Sequence, residues 1–125
     1  QLRILKLNDN ILLLVPSKIE RLSSLLYLEL SGNHLRRLPA GIRGLKNLQA
    51  LNLSKNKLKT LPSEIGELKN LQKLDLHKNK MTALPNEIRQ LKSLRELDLQ
   101  ENFFSEAYIV QLRKDMPWCD IRFRN

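Results

Sequence analysis

The sequence predicts an α/β fold: a right-handed α/β solenoid, or horseshoe, with a parallel concave β-sheet, short 3₁₀ or α convex turns and a C-terminal capping helix. Three observations predict it. The stretch Leu48-Gln49-Ala50-Leu51-Asn52-Leu53-Ser54-Lys55-Asn56-Lys57-Leu58 has counterparts starting at Leu2, Leu25, Leu71 and Leu94, a step of 23 residues. Each copy alternates first (Leu51, Leu53) and then turns to a spacing of three (Pro62, Ile65, Leu68, Leu71). Hydrophobic residues make up 42% of the chain but aromatic ones only 5%, so the core is built of leucine. A fixed period of this length marks a stacked array, because one unit cannot bury its apolar face alone.

The alternating half reads as a short strand with one buried face. The half with spacing of three suits a turn of 3₁₀ or short α-helix, and proline at its start presets φ where no N–H is needed. The first unit is Leu2, Leu5, Leu7, Asn10, Leu12, Val15-Pro16, Ile19 and Leu22. Leu13 and Leu14 add an apolar patch where the second unit has Arg36 and Arg37. Three regular units follow, at 23–45, 46–68 and 69–91. Gly41, Gly44 and Gly66 fall in their convex turns and serve structure, since no phosphate-loop or dinucleotide motif surrounds them.

The fifth unit departs after Phe104. Ala107 and Tyr108 stand where leucine and proline are due. Ser105 can cap a helix with Glu106 in its first turn. Ile109, Leu112 and Met116 form its apolar stripe, and Pro117 stops it, giving a helix of about ten residues. A last strand follows through Phe123, with Cys119 and Ile121 pointing inward. Arg113, Lys114, Asp115, Arg122 and Arg124 supply the polar outer face that a terminal unit needs. The whole is expected to be a single domain over 1–125, with repeats starting at about 2, 25, 48, 71 and 94 and a cap at 105–125.

Asn10, Asn33, Asn56, Asn79 and Asn102 form one column where each strand ends. A buried asparagine carries donors and an acceptor, so the column is expected to be an internal ladder tying each turn to its own repeat and the next. None lies in a glycosylation sequon.

Several functions are argued against. No apolar run of about 18 residues codes a membrane span. His34 and His77 stand in different columns, so no zinc pair is coded. No Ser–His–Asp or Cys–His arrangement is visible. The catalytic, cofactor-binding and metal sets are therefore empty. One cysteine, Cys119, allows no internal disulfide and is expected to be buried. A net charge of +9 invites a polyanion such as heparin or nucleic acid. The cations look spread over loop and convex positions without aromatics to stack bases, which argues against nucleic acid. Chain start at Gln1 is read as a processed or trimmed N-terminus. That places the protein outside the cell or on its surface if an export signal was removed, and in the cytoplasm otherwise. It also leaves open self-association through the uncapped N-terminal end.

The repeat L-x-x-L-x-L-x-x-N-x-L-x-x-L-P-x-x-I-x-x-L resembles the 23-residue "LP" class of leucine-rich repeats found in Ras-interacting and Scribble-type proteins. Leu61-Pro62-Ser63-Glu64-Ile65-Gly66-Glu67-Leu68-Lys69-Asn70-Leu71, with the ending through Pro117, Cys119, Asp120 and Ile121, is similar to the short bacterial leucine-rich-repeat proteins of leptospires. The resemblance implies a non-enzymatic, exported binding module for host or bacterial proteins, with no ligand common to the family.

In such a solenoid the residues between the strand leucines line the concave face. Three columns follow: Ile4, Tyr27, Ala50, Lys73, Glu96, Trp118; then Lys6, Glu29, Asn52, Asp75, Asp98, Asp120; then Asn8, Ser31, Ser54, His77, Gln100, Arg122. The face is graded, neutral to apolar at Ile4, Tyr27 and Ala50 and acidic at Asp75, Glu96, Asp98, Glu101 and Asp120. Its middle rim is basic at Lys55, Lys57, Lys78 and Lys80. Lys6, Tyr27, Glu29, Asn52, Lys73, Asp75, His77, Glu96, Asp98, Trp118 and Asp120 are the expected partner-binding set. Tyr27 and Trp118 are its aromatic anchors, with cap packing the alternative for Trp118. The function expected is protein–protein interaction on this face. The alternatives are polyanion binding through net charge, or a recognition part of a larger enzyme.

Overall fold

Each Leu-x-Leu pair begins inside a three-residue strand. The computed structural model describes residues 1–123. Its strands are β1 (Ile4–Lys6), β2 (Tyr27–Glu29), β3 (Ala50–Asn52), β4 (Lys73–Asp75), β5 (Glu96–Asp98) and β6 (Asp120–Arg122). They pair in parallel in chain order as one sheet. Leu5, Leu28, Leu51, Leu74, Leu97 and Ile121 share one row. From Leu28 onward that row is buried, while the flanking residues point out of the sheet as the period of two requires.

The convex side carries 3₁₀ turns at Ser17–Arg21, Ala40–Gly44, Ser63–Glu67 and Asn86–Gln90. A proline with φ between −75° and −63° precedes each. Two overlapping tight bonds close a turn: Ile42 N–H donates to the Pro39 carbonyl at 3.1 Å, and Leu45 N–H to the Ile42 carbonyl at 3.1 Å. Five residues are enough for that pattern and too few for a regular α-helical ladder. The turns stack closely. A Cβ on Gly44 would lie 2.5 Å from the Glu20 carbonyl oxygen, so glycine lets the second turn approach the first. Asn47 and Asn70 each reach back across this side, donating to the Ser23 and Lys46 carbonyls at 2.9 and 3.1 Å. The apolar core runs without a break from Val15 to Ile121. No helix among the described residues is long and apolar enough to cross a membrane.

The asparagine ladder exists from the second coil on, but it reaches backward, not forward. Asn56 Nδ2 donates to the carbonyls of Leu53 and Ser54 in its own coil at 3.1 Å and to Leu30 of the preceding coil at 2.9 Å. Its Oδ1 accepts from Leu35 N–H, again in the preceding coil, at 3.0 Å. Asn33, Asn79 and Asn102 repeat the pattern toward Leu12, Leu58 and Met81. Asn10 does not belong to the buried ladder. It is exposed and, among the described residues, bonds only to Leu7 and Asn8 of its own coil, with no coil among them on its N-terminal side to receive the other bonds.

The cap forms as the sequence suggests. Helix α1 (Glu106–Asp115) starts at Ser105, whose Oγ accepts from Tyr108 N–H at 3.1 Å. Ile109, Leu112 and Met116 bury its inner stripe. Tyr108 stacks on Phe104 with ring centres 5.4 Å apart, and its hydroxyl accepts from Leu84 N–H at 2.8 Å. Arg89 Nε donates to Asp115 Oδ2 at 2.7 Å, pinning the helix to the fourth turn. This bond, with a second from Gln111, holds the Asp115 carboxyl below the ordinary value of 3.8. Arg113 also serves here, donating to the Ile121 carbonyl at 2.8 Å. Arg124, expected on the outer face, lies outside the described residues.

The last strand differs from the expected register. Glu96 pairs with Asp120 and Asp98 with Arg122, one residue beyond the regular step. Ten helical residues replace a five-residue turn, and the α-helix rises less per residue than the segment it replaces. Trp118 consequently takes the place of the first leucine of a repeat. Its Nε1 donates to the Leu91 carbonyl at 3.0 Å, and Lys92 Nζ lies 3.9 Å from its ring centre. Cys119 is half-buried and outside the inward row, which Ile121 and Phe123 occupy instead.

Candidate functional site

Strands β2 to β5 of the six-stranded sheet form the floor of a concave cleft of about 440 Å³. Its walls come from two rows. The first is Tyr27, Ala50, Lys73, Glu96; the second is Glu29, Asn52, Asp75, Asp98, Arg122. Seven of the eleven expected binding residues line it: Tyr27, Glu29, Asn52, Lys73, Asp75, Glu96 and Asp98. The other four do not. Lys6 lies on β1 beyond its N-terminal end, and His77 follows β4 at the rim. Asp120 sits exposed in the row of Glu96, and Trp118 packs against the fourth turn. Arg122, expected on the outer cap face and in the third column, stands in the row of Asp98 and lines the cleft.

The rows are polar for different reasons. Asn52, Asp75 and Asp98 do one job in successive coils. Each Oδ1 accepts the backbone N–H two residues on, from Ser54, His77 and Gln100, at 3.0, 3.1 and 3.0 Å. This Asx bond ends the strand and explains why carboxylates sit side by side despite their repulsion. The column of three aspartates expected from the sequence does not form, because Arg122 takes the last position. In the other row Lys73 and Arg122 reach Glu96 at 3.6 and 3.5 Å. At the opposite end the Tyr27 ring is exposed beside the small Ala50 side chain.

Asp75, His77 and Asp98 offer ligand atoms within 4.8 Å of one another. His77 Nδ1 already lies 2.6 Å from Asp75 Oδ1, and both carboxylates hold main-chain N–H groups. The trio is thus accounted for as strand-end hydrogen bonding. Burial, then the Asp120 and Glu96 carboxylates, push the Cys119 thiol up to about 11, which disfavours its thiolate form.

The basic charge is not evenly spread. Arg36, Lys57, Lys59 and Lys80 line a second cleft of about 350 Å³ on the loop side of the coils. Lys57 and Lys80, expected on the concave rim, face this cleft. The signal was present in the sequence. The residues after the asparagines (His34, Lys57, Lys80) and two further on (Arg36, Lys59) become adjacent only when read across coils.

Residues 1–114 match the family described as a leucine-rich repeat region. Among solved structures, a leucine-rich repeat protein of Leptospira interrogans is 41% identical with a TM-score of 0.83, over 98% of this chain and 37% of that one. The plant peptide hormone receptor RGFR1 in complex with RGF2 is 27% identical, TM-score 0.76, over 97% of this chain and 24% of that one. A TDR receptor is 35% identical, TM-score 0.76, over 83% and 19%. The chain therefore spans about a third or less of the length of each of these proteins. No curated protein matches the sequence.

Proposed function

The chain belongs to the leucine-rich repeat family, and from that premise we propose that it is a non-enzymatic module that binds another protein in its concave cleft. The observation that carries this reading is the cleft itself, graded from Tyr27 and Ala50 at one end to Lys73, Glu96 and Arg122 at the other. Such a surface offers an aromatic anchor and a charged rim on a rigid floor, the combination that concentrates binding energy at interfaces. Main-chain bonds along every strand fix the spacing of the rows, so little ordering cost remains on binding. A plant receptor of the same fold is solved with RGF2 bound, a precedent for ligand capture by such a solenoid.

Panning a random-peptide display library on the immobilised protein tests the reading. Enriched peptides should lose at least about tenfold in affinity for a Tyr27→Ala, Glu96→Gln double variant, the loss expected for one aromatic anchor and one charged contact. Asp98 is left intact in this variant because its Oδ1 holds Gln100 N–H. Peptides that bind wild type and variant equally would move the site elsewhere.

A further inference from the structure

We propose that the loop-side cleft lined by Arg36, Lys57, Lys59 and Lys80 is a second binding site, taking a compact polyanion with several phosphate or sulfate groups on one small ring. All four side chains are exposed, and among the described residues none forms an ion pair with a carboxylate. Like charges in register on neighbouring coils repel, so the cluster costs the fold stability that an anion would restore.

The cluster is also held rigidly. Lys57 N–H donates to the Leu35 carbonyl and Lys80 N–H to the Leu58 carbonyl, both at 2.8 Å. The N–H groups of Leu35 and Leu58 are themselves held by Asn56 and Asn79. The buried ladder thus fixes the backbone from which the cations project, and a preorganised site pays less to bind.

The ends of the cleft set the ligand's size. The same two rows carry Ile11 and Leu13 in the first coil, and Phe103 and Ser105 in the fifth. Ile11, Leu13 and Phe103 are 79, 70 and 67% exposed, so the positive stretch is bounded by apolar surface on both sides. It spans three coils, roughly 10 Å at a strand spacing of about 4.8 Å. A long polymer would run off the charge onto apolar side chains, whereas a ring-sized ligand would not. The cleft offers no aromatic face among its lining residues on which a base could stack.

Isothermal titration calorimetry of the full chain at about 0.15 M salt tests the site, with inositol hexakisphosphate, inositol hexasulfate and a short oligothymidylate as probes. The two ring compounds should bind and the oligonucleotide should bind at least about tenfold more weakly, having charge but no place to stack. A preference between the rings assigns the natural ligand to phosphorylated or sulfated chemistry. A Lys57→Ser, Lys59→Ser variant should lose roughly 30-fold, because two charge-assisted contacts go. An Arg43→Ser, Lys46→Ser variant, with the same net charge but altered on the convex side, should lose about twofold or less. Circular dichroism confirms that both variants fold. Equal losses in the two variants, oligonucleotide binding as tight as that of the rings, or failure of both ring compounds to bind would each overturn the proposal. So would binding to phosphatidylserine vesicles that neither ring compound displaces.

Discussion

The first coil and the third carry the same motif and live in different surroundings. Leu53, Asn56 and Leu58 are buried, whereas their counterparts Leu7 and Leu12 are half-buried and Asn10 is exposed. The sequence match is equally good, so the motif alone does not create a buried position. A coil is completed by the neighbour on its N-terminal side, because that is where its asparagine sends one donor bond and receives its acceptor bond. At the opposite end the problem is solved differently. Helix α1, Tyr108 and Phe104 close the fifth coil with aromatic packing and a hydroxyl that meets an otherwise open main-chain N–H.

The largest contrast is expected at the asparagines. Asn56→Ala would leave a buried N–H and buried carbonyls without partners and should cost about 3–4 kcal/mol, while Asn10→Ala should cost less than about 1 kcal/mol. Urea unfolding of the two variants measures both. Equal costs would break the comparison.

The leucines give a smaller contrast. Leu53→Ala empties a fully buried site and should cost about 3–4 kcal/mol, against roughly 1–2 kcal/mol for Leu7→Ala at the half-exposed end. Thermal unfolding ranks them.

Much of this architecture was legible in the sequence because it depends on spacing. The leucine rows, the proline-started turns and the Ser105 cap each follow from local chemistry that repeats or breaks visibly. Three things were not legible, each for a physical reason. The direction of the ladder depends on which neighbour presents free carbonyls and N–H groups, and both neighbours have the same sequence pattern. The register of β6 depends on how far α1 carries the chain, and the shift displaced Trp118 and Cys119 and brought in Arg122. The basic cleft is a property of columns across coils, so reading Arg36 and Lys59 along the chain made them look scattered.

Two expectations sharpen the picture at the C-terminal end. The Cys119 thiol, raised from 9.0 to about 11, should react with iodoacetamide at pH 8 roughly 100-fold more slowly than a cysteine at the lower value, since two pKa units remove that much thiolate. Alkylation at the rate of the unfolded chain would contradict the burial assigned to it. Asp115 carries the smallest effect. Its carboxyl titrates below 3.8 in the folded protein, so its contribution is present above that pH and fades as pH falls through the lower folded value. Wild type should therefore exceed Asp115→Asn in stability at pH 6 and converge with it in strong acid. A constant gap across that range would show that Arg89 does not hold the charged form.

Both proposed surfaces stand on coils locked together by bonds that reach toward the N-terminus. Native-state hydrogen exchange on Asn56→Ala measures that lock directly. Beyond any uniform loss of protection, the amide of Leu35 in the preceding coil should lose the most, while the amide of Leu58, held by Asn79, should follow the uniform change. Selective loss at Leu58, with Leu35 unchanged, would contradict the account.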